Sequence, residues 1–434
     1  MRRLIGHHLT RYPVVGVACV VTFAVACEPS SSTSVAPLRT EPDAQTSRST
    51  AAAERVDDVL ASAVSRQDVL GVVAMAVDRN GVIYRGAFGA ADESNDLPMD
   101  ADAVFRIASM TKPVTSVAAM QLVEQGAIAL DEAAAVYLPE LAQTQVLEQF
   151  DPPRGTYDLR PPASPITVRQ LLTHTAGFGY PFTSDTLRDF EPPAGDGDVV
   201  GPLLFDPGTS WWYGTNTDWV GRLVESVSGE SLEAYFREHI FAPLQMPDTV
   251  FNVPEADWPR TVALANRQGE GGLLEVARQD PTPVTTFSGG GGLWSTANDY
   301  ARFMRMWLND GVLDGQRVLS AETVATMSAN QVGSLAAGTI VTALPELSND
   351  FRPTADGRGR FGLGFLINLD DQPGRRTGGS LAWAGLYNTY FWIDPASGMA
   401  GVILTQVLPF ADPRVLGVFD AFERAVYALV AEVV

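Results

Sequence analysis

The chain reads as an α/β protein: an antiparallel sheet assembled from strands near both ends, flanked by helices, with a mostly helical lobe inserted in the middle. Three observations predict this. "VLGVVAMAVDRNGVIYRGAFGAAD" contains two β-rich runs joined at Asn80-Gly81, the strongest short hairpin signal. Near the other end, "LAWAGLYNTYFWIDP" and "GMAGVILTQVLPF" read as strands separated by a Pro-Ala-Ser-Gly turn. Between them, most patterned segments carry apolar residues at helical spacing. The expected organisation is a folded body over 54–434, with an α/β lobe at 54–100 and 286–434 and a helical lobe at 101–285. A site is expected in the cleft between the lobes.

The elements follow in order. "MRRLIGHHLTRYPVVGVACVVTFAVACEPSSS" has a basic start, an apolar run from Pro13 to Ala26 and small residues before Cys27, as an export signal over 1–26 does. The run is too short to span a bilayer comfortably. "AVAC" resembles a bacterial lipobox, in which Cys27 is acylated and becomes the first mature residue; a plain signal peptide is the alternative, because Ala24 is smaller than the usual leucine. The expected location is exported, periplasmic or cell-surface, with membrane contact only through that lipid. Residues 27–53, rich in Ser, Thr, Pro and Ala, suit a flexible tether. "AERVDDVLASAVSRQ" then reads as a helix, followed by the hairpin and a second helix from Ala108 to Gln125 closed by Gly126. Proline-rich loops are expected over Asp151 to Pro165. Further helices are predicted in "TVRQLLTHTAG", "NTDWVGRLVESVSG", "SLEAYFREHIFAPL" and, with Ser295 or Thr296 as N-cap, "GGGGLWSTANDYARFMRMWLNDG". A terminal helix follows from Pro413.

Composition excludes several functions. The formal net charge is -21, and the acidic field repels phosphate backbones without any basic stripe to offset it, so no nucleic-acid partner is expected. Outside the signal segment only His174 and His239 remain, so a zinc site of the usual His and Cys ligands cannot be assembled. No Walker loop or G-x-G-x-x-G follows a strand and opens a helix, and no cofactor is expected. The nearest approach to a nucleophile elbow, Gly378-Gly379-Ser380-Leu381-Ala382, lacks its last glycine.

One residue stands out against this background. Lys112, in "FRIASMTKPVTSVAAMQLVEQG", is the only lysine; every other basic side chain among the 30 Lys+Arg is an arginine. An ammonium group surrenders its proton when desolvated, whereas guanidinium does not. Ser109 lies three residues earlier, one turn away on the same helix face, so hydroxyl and amine can meet. If the helix begins near Ser109, its free amides also surround that hydroxyl. A tyrosine to share the proton is available at Tyr213, just before a helix in "WWYGTNTDWVGRLVE".

S-x-x-K, then a tyrosine before a helix, then a glycine-containing strand motif near the end resembles the serine hydrolases related to class C β-lactamases and penicillin-binding DD-peptidases. "TVRQLLTHTAGF", "SLEAYFREHIFAPLQMPDTVF", "GGGGLWSTANDYARFMRMWLNDG" and "FGLGF" are similar to segments of that family, which covers roughly Glu54 to Val434. The resemblance implies a β-lactamase/transpeptidase-like fold. Two departures matter. Tyr213-Gly214-Thr215 stands where the lactamases have Y-x-N, with Asn216 as a possible substitute. Trp383-Ala384-Gly385 stands where they have K-T-G, similar to the family VIII carboxylesterases; Arg376-Thr377-Gly378 is a competing register. Indole in place of a cation removes the partner of a substrate carboxylate and favours neutral esters.

The resemblance implies the following roles. Ser109 is the nucleophile, Lys112 and Tyr213 share its proton, and the amides of Ser109 and Leu386 form the oxyanion hole. Trp383, Ala384, Gly385, Trp212 and Thr215 contact substrate, and His174 is structural. The expected partner is a small-molecule ester or amide. A β-lactamase or D-amino-acid peptidase is one alternative; another is a penicillin-sensing or peptidoglycan-binding protein that acylates without turnover. Sequence leaves the oligomeric state open.

Overall fold

Asn80-Gly81 turns the chain as expected in the computed structural model, which describes residues 44–190, 201–269, 271–354 and 356–433. The Asp78 carboxylate accepts hydrogen bonds from the backbone amides of Asn80 and Gly81, both at 2.7 Å, and so closes the turn between β1 (Gly71–Asp78) and β2 (Val82–Asp92). β3 (Leu97–Pro98) pairs beside β2. The remaining strands come from the C-terminal part: β4 (Arg360–Phe361), β5 (Leu366–Ile367), β6 (Leu381–Gly385), β7 (Thr389–Asp394) and β8 (Met399–Leu404). They form one sheet in the order β4-β5-β6-β7-β8-β1-β2-β3. Every neighbouring pair is antiparallel, so the sheet is built from both ends of the body.

Helices cover both faces. On β7, Trp392 meets Phe419 and Phe422 of α5 (Pro413–Val433), whereas the adjacent Phe391 meets Tyr300 of α4 (Ala297–Leu308). Adjacent strand residues point to opposite faces, so the two helices must lie on opposite sides. α1 (Ala44–Ser65) packs against α5. The intervening chain supplies α2 (Thr111–Glu124) and α3 (Asn216–Ser228), which pack together.

Four details differ from the sequence reading. α1 starts at Ala44 and so takes in residues assigned to the tether: "STAAAERV" has neither Gly nor Pro, and Ala52, Val56, Leu60 and Ala63 form a buried helical stripe. The stretch "LAWAGLYNTYFWIDP" is two strands, not one. Asn388, at φ +59°, turns the chain, and its buried amide donates to the carbonyls of Val407 and Pro409 at 2.8 Å each. Val146–Asp151 and Thr156–Arg160 pair as a hairpin where loops were expected. A π-helical turn, Arg237–Phe241, interrupts the predicted helix at 231–244. Pro243 has no N–H to offer the carbonyl of His239, and the Gln121 side chain donates to that carbonyl at 3.0 Å instead.

Among the described residues no helix is long and apolar enough to cross a membrane. The expected signal at 1–26, the acylated Cys27 and the first part of the tether lie outside the described residues.

Candidate active site

The nucleophile candidate sits on a sharp turn. Phe105–Arg106 pairs with Trp294–Ser295, and the chain then passes through Ala108 at φ +44° into a 3₁₀ turn, Ala108–Met110, before α2 begins. A non-glycine residue in that left-handed region costs about 1–2 kcal/mol and persists only where its surroundings hold it. Here they do. The amide of Ile107 donates to Leu293 O at 3.1 Å, the amide of Leu293 donates to Thr111 Oγ1 at 3.1 Å, and Tyr300 Oη donates to Met110 O at 3.0 Å. The helix thus starts two residues after Ser109, which stands in the tight turn ahead of it.

Lys112 is 1% exposed. Its Nζ lies 2.6 Å from Gly290 O, 3.1 Å from Tyr180 Oη and 3.2 Å from Ser109 Oγ. The rings of Tyr213 and Tyr180 flank it, with centroids 4.7 and 5.3 Å from Nζ. Tyr213 reaches Ser109 from another side, its Oη 2.6 Å from Ser109 Oγ. The structure thus brings together the three side chains singled out in the sequence, with the amine buried beside the hydroxyl.

Close approach of chain segments keeps Tyr213 in place. A Cβ on Gly214 would lie 2.1 Å from Phe178 O and 2.5 Å from Gly179 Cα, so the segment carrying Tyr213 fits there only with glycine. Beneath the ring lies His174, 5.1 Å away and stacked on Trp383 at 6.4 Å. Asn216 Nδ2 donates both to Phe178 O at 3.3 Å and to His174 Nδ1 at 3.1 Å. The carbonyl fixes the amide orientation, so Nδ1 is the acceptor. Burial, with the Lys112 charge nearby, holds the imidazole well below its ordinary pKa, which keeps it neutral. The structural role assigned to His174 fits this arrangement, and Asn216 is committed to it rather than to the cavity.

Ser109 opens into a cavity of about 300 Å³. Its apolar lining includes Phe182, Ile340, Phe351, Trp383, Leu386 and Phe410, its polar lining Tyr180, Asp218 and Ser288, with Gly290, Gly291 and Gly292. No arginine or lysine lines it among the described residues. Trp383, Ala384 and Gly385, at the end of β6, belong to the wall, and so does Leu386. The competing register is placed elsewhere: Arg376 pairs with the buried Glu423 at 2.6 Å, and Thr377 Oγ1 donates to Asp394 at 2.7 Å.

Two expected contacts do not line the cavity. Tyr213 points to Ser109, whereas Trp212, the residue before it, donates its indole N–H to Thr183 Oγ1 at 3.3 Å. Thr215 is the N-cap of α3, where its carbonyl accepts the amide of Asp218 at 3.0 Å.

Four residues in the site escaped sequence reasoning. Tyr180 Oη accepts from Lys112 and donates to Asp218 Oδ2 at 3.4 Å; burial and then the Asp218 charge push its phenol well above the ordinary value. Asp218 Oδ1 accepts from Ser288 Oγ at 2.6 Å and from the Gly290 amide at 3.0 Å. The Gly-rich run ending in "GGGGLW" was visible as a motif, but its use as a carbonyl acceptor for Lys112 was not. Nothing in one sequence distinguishes Tyr180 or Asp218 from their neighbours.

A family model described as Beta-lactamase matches residues 56–422. The chain belongs to the beta-lactamase family. It is 32% identical to the acyltransferase calJ of Penicillium decumbens, over 86% of this chain and 97% of that protein. It is 31% identical to the lovastatin esterase of Penicillium rubens, over 86% and 98% respectively. Among solved structures, a mutant of simvastatin synthase (LovD) from Aspergillus terreus superposes with a TM-score of 0.74 at 30% identity, covering 87% of this chain and 97% of that one. Within the beta-lactamase family, then, this chain is a serine hydrolase whose relatives include named acyltransferases and an esterase.

Proposed function

We propose that this enzyme is an esterase of neutral carboxylic esters that forms an acyl-enzyme on Ser109 and passes the acyl group to water or to an alcohol. One observation carries the reading. Ser109 Oγ, bonded at 2.6 Å to Tyr213 Oη and at 3.2 Å to Lys112 Nζ, opens into a largely apolar cavity whose wall contains no basic side chain among the described residues. Ser109 attacks the acyl carbon while its proton passes to the Lys112/Tyr213 pair, and the pair returns it to the departing alkoxide. The backbone amides of Ser109 and Leu386 hold the oxyanion, a contribution of roughly 3–4 kcal/mol per donor in comparable sites. Water or a second alcohol, deprotonated by the same pair, then releases the acyl group. The relatives' names include both transfer and hydrolysis, which supports a site that tolerates either acceptor.

A β-lactam or a peptide terminus brings a carboxylate, and Trp383 offers it no cation. The test compares p-nitrophenyl butyrate with a chromogenic cephalosporin. The expected result is sustained ester turnover at a kcat/KM at least a hundredfold higher, abolished in Ser109→Ala. Faster cephalosporin turnover would reassign the enzyme as a lactamase, and a single acylation burst without turnover would make it a sensor. The proposal also keeps export with acylation of Cys27, read from "AVAC"; mass spectrometry of the membrane-bound protein checks it, and an intact first 26 residues would refute it.

A further inference from the structure

The carboxylate of Asp218 forms part of the cavity wall. Its partners are all neutral donors: Ser288 Oγ at 2.6 Å, the Gly290 amide at 3.0 Å and Tyr180 Oη at 3.4 Å. Among the described residues no arginine, lysine or histidine forms an ion pair with it. The nearest cation in the network, Lys112, is reached only indirectly, through the Tyr180 hydroxyl and the Gly290 peptide unit, and is itself fully enclosed. The substrate therefore meets a carboxylate and never meets the ammonium face.

The place that a basic residue would take in the lactamase-like motif is occupied by Trp383, which lines the same cavity. The charge of the pocket is thus inverted, not simply neutralised. A cavity of about 300 Å³ keeps anything inside it close to every wall. A charge on a bound acyl group then lies within about 8 Å of Asp218, where two unit charges still interact by more than 1 kcal/mol at the effective dielectric of a partly buried site. Trp383 also lines the cavity and brings no positive charge to an anion.

Resting on the ester reading above, we infer that Asp218 is a specificity-determining residue: it excludes acyl groups that carry a carboxylate and admits neutral or quaternary-ammonium ones. The substrate class narrows accordingly to esters of uncharged or cationic acids.

Three p-nitrophenyl esters of similar length test this: valerate, glutarate with its second carboxylate free, and 4-(trimethylammonio)butyrate. Each kcat/KM is divided by the rate of spontaneous hydrolysis. Wild type should favour the neutral over the anionic ester by about tenfold or more, with the cationic ester at or above the neutral one. Asp218→Asn keeps the shape and a donor or acceptor for each partner, and it should shrink the neutral-to-anionic ratio to within about threefold of unity. Asp218→Ser serves if the first variant fails to fold, as read by its melting temperature. Because the whole chain carries a net charge of -21, Glu322→Gln, a remote exposed carboxylate, is the control and should leave the ratio in place. A flat wild-type ratio, or one unchanged in the Asp218 variants while the neutral ester is still turned over, overturns the inference alone. Failure of wild type on all three esters instead overturns the ester reading itself.

Discussion

Replacing Lys112 by arginine preserves charge while removing the ability to surrender a proton, so it tests the step on which the mechanism rests. The native amine is enclosed, with oxygens at 2.6, 3.1 and 3.2 Å and two phenol rings beside it. A general base in such a position accounts for about 10²–10⁴ in rate, or about 2.7–5.4 kcal/mol of barrier. The broader guanidinium must also displace some of those neighbours, an overpacking cost of about 1–3 kcal/mol in stability. The two effects are read separately, as kcat/KM on p-nitrophenyl butyrate and as urea or thermal unfolding of the same preparation. Lys112→Arg should fold, melt lower and lose at least a hundredfold in kcat/KM. Lys112→Ala should be as slow but partly rescued by added methylamine at alkaline pH, because the vacated site admits a small neutral base. An arginine variant within tenfold of wild type would refute proton transfer through this residue, whatever its stability.

Other predictions follow from neighbouring contacts. Tyr213→Phe deletes the hydroxyl 2.6 Å from Ser109 Oγ and keeps the ring packing, so kcat should fall by about 10²–10³ while stability changes by only about 1 kcal/mol; a kcat within threefold of wild type contradicts the shared-proton role. In Gly385→Ala the new Cβ would lie 2.2 Å from both Ile107 O and Thr389 Oγ1, and the forced shift reaches Ser109 on one side and Leu386 on the other. Its kcat should drop more than tenfold with about 1–3 kcal/mol of destabilisation, and native kinetics would show that the strand end does not position the oxyanion donors. His174 has a folded pKa well below its unfolded value near 6.5, so the unfolded chain binds the extra proton first. Its contribution is intact above about pH 6.5 and is lost as pH falls below that, by up to about 1.4 kcal/mol per pH unit. His174→Asn, which tolerates the φ of +59° at this position, should flatten the acid side of the stability curve between about pH 4 and 6.5 relative to wild type, and an unchanged slope would assign the acid sensitivity elsewhere.

The parts of the site legible in the sequence are those fixed by local geometry. Ser109 and Lys112 lie three residues apart, so a helical turn alone predicts their meeting, and Lys112 was conspicuous because arginine fills every other basic position. Tyr213 became legible only through the family pattern. Tyr180 and Gly290 reach Lys112 from loops far along the chain, Asp218 holds both from a helix, and their roles come from how those segments pack. Trp212 and Thr215 were misplaced for a related reason. The resemblance gives them as substrate contacts, but packing commits them elsewhere: the Trp212 indole donates to Thr183 Oγ1, and Thr215 caps the start of α3. At the level of the fold, both ends of the sheet were evident from strand patterning. The break between β6 and β7 was hidden because Asn388, whose buried amide anchors the turn, lies within an otherwise β-favouring run.

Gly290 links the two charged groups of the site. Its amide donates to Asp218 at 3.0 Å, and its carbonyl accepts from Lys112 at 2.6 Å. A Cβ there would come within 2.4 Å of Asp218 Oδ2, so no side chain fits without moving the carboxylate. Tyr180 forms the second link, accepting from Lys112 and donating to Asp218. Any change at Asp218 is therefore felt at the amine through two routes, and the absolute rate of an Asp218 variant mixes altered charge selection with altered proton transfer. Proton transfer at Ser109 is common to all three test esters, so its perturbation divides out of their ratio. What remains in that ratio is the interaction of Asp218 with the acyl group, which makes the ratio, and not the rate, the measure of what this carboxylate does.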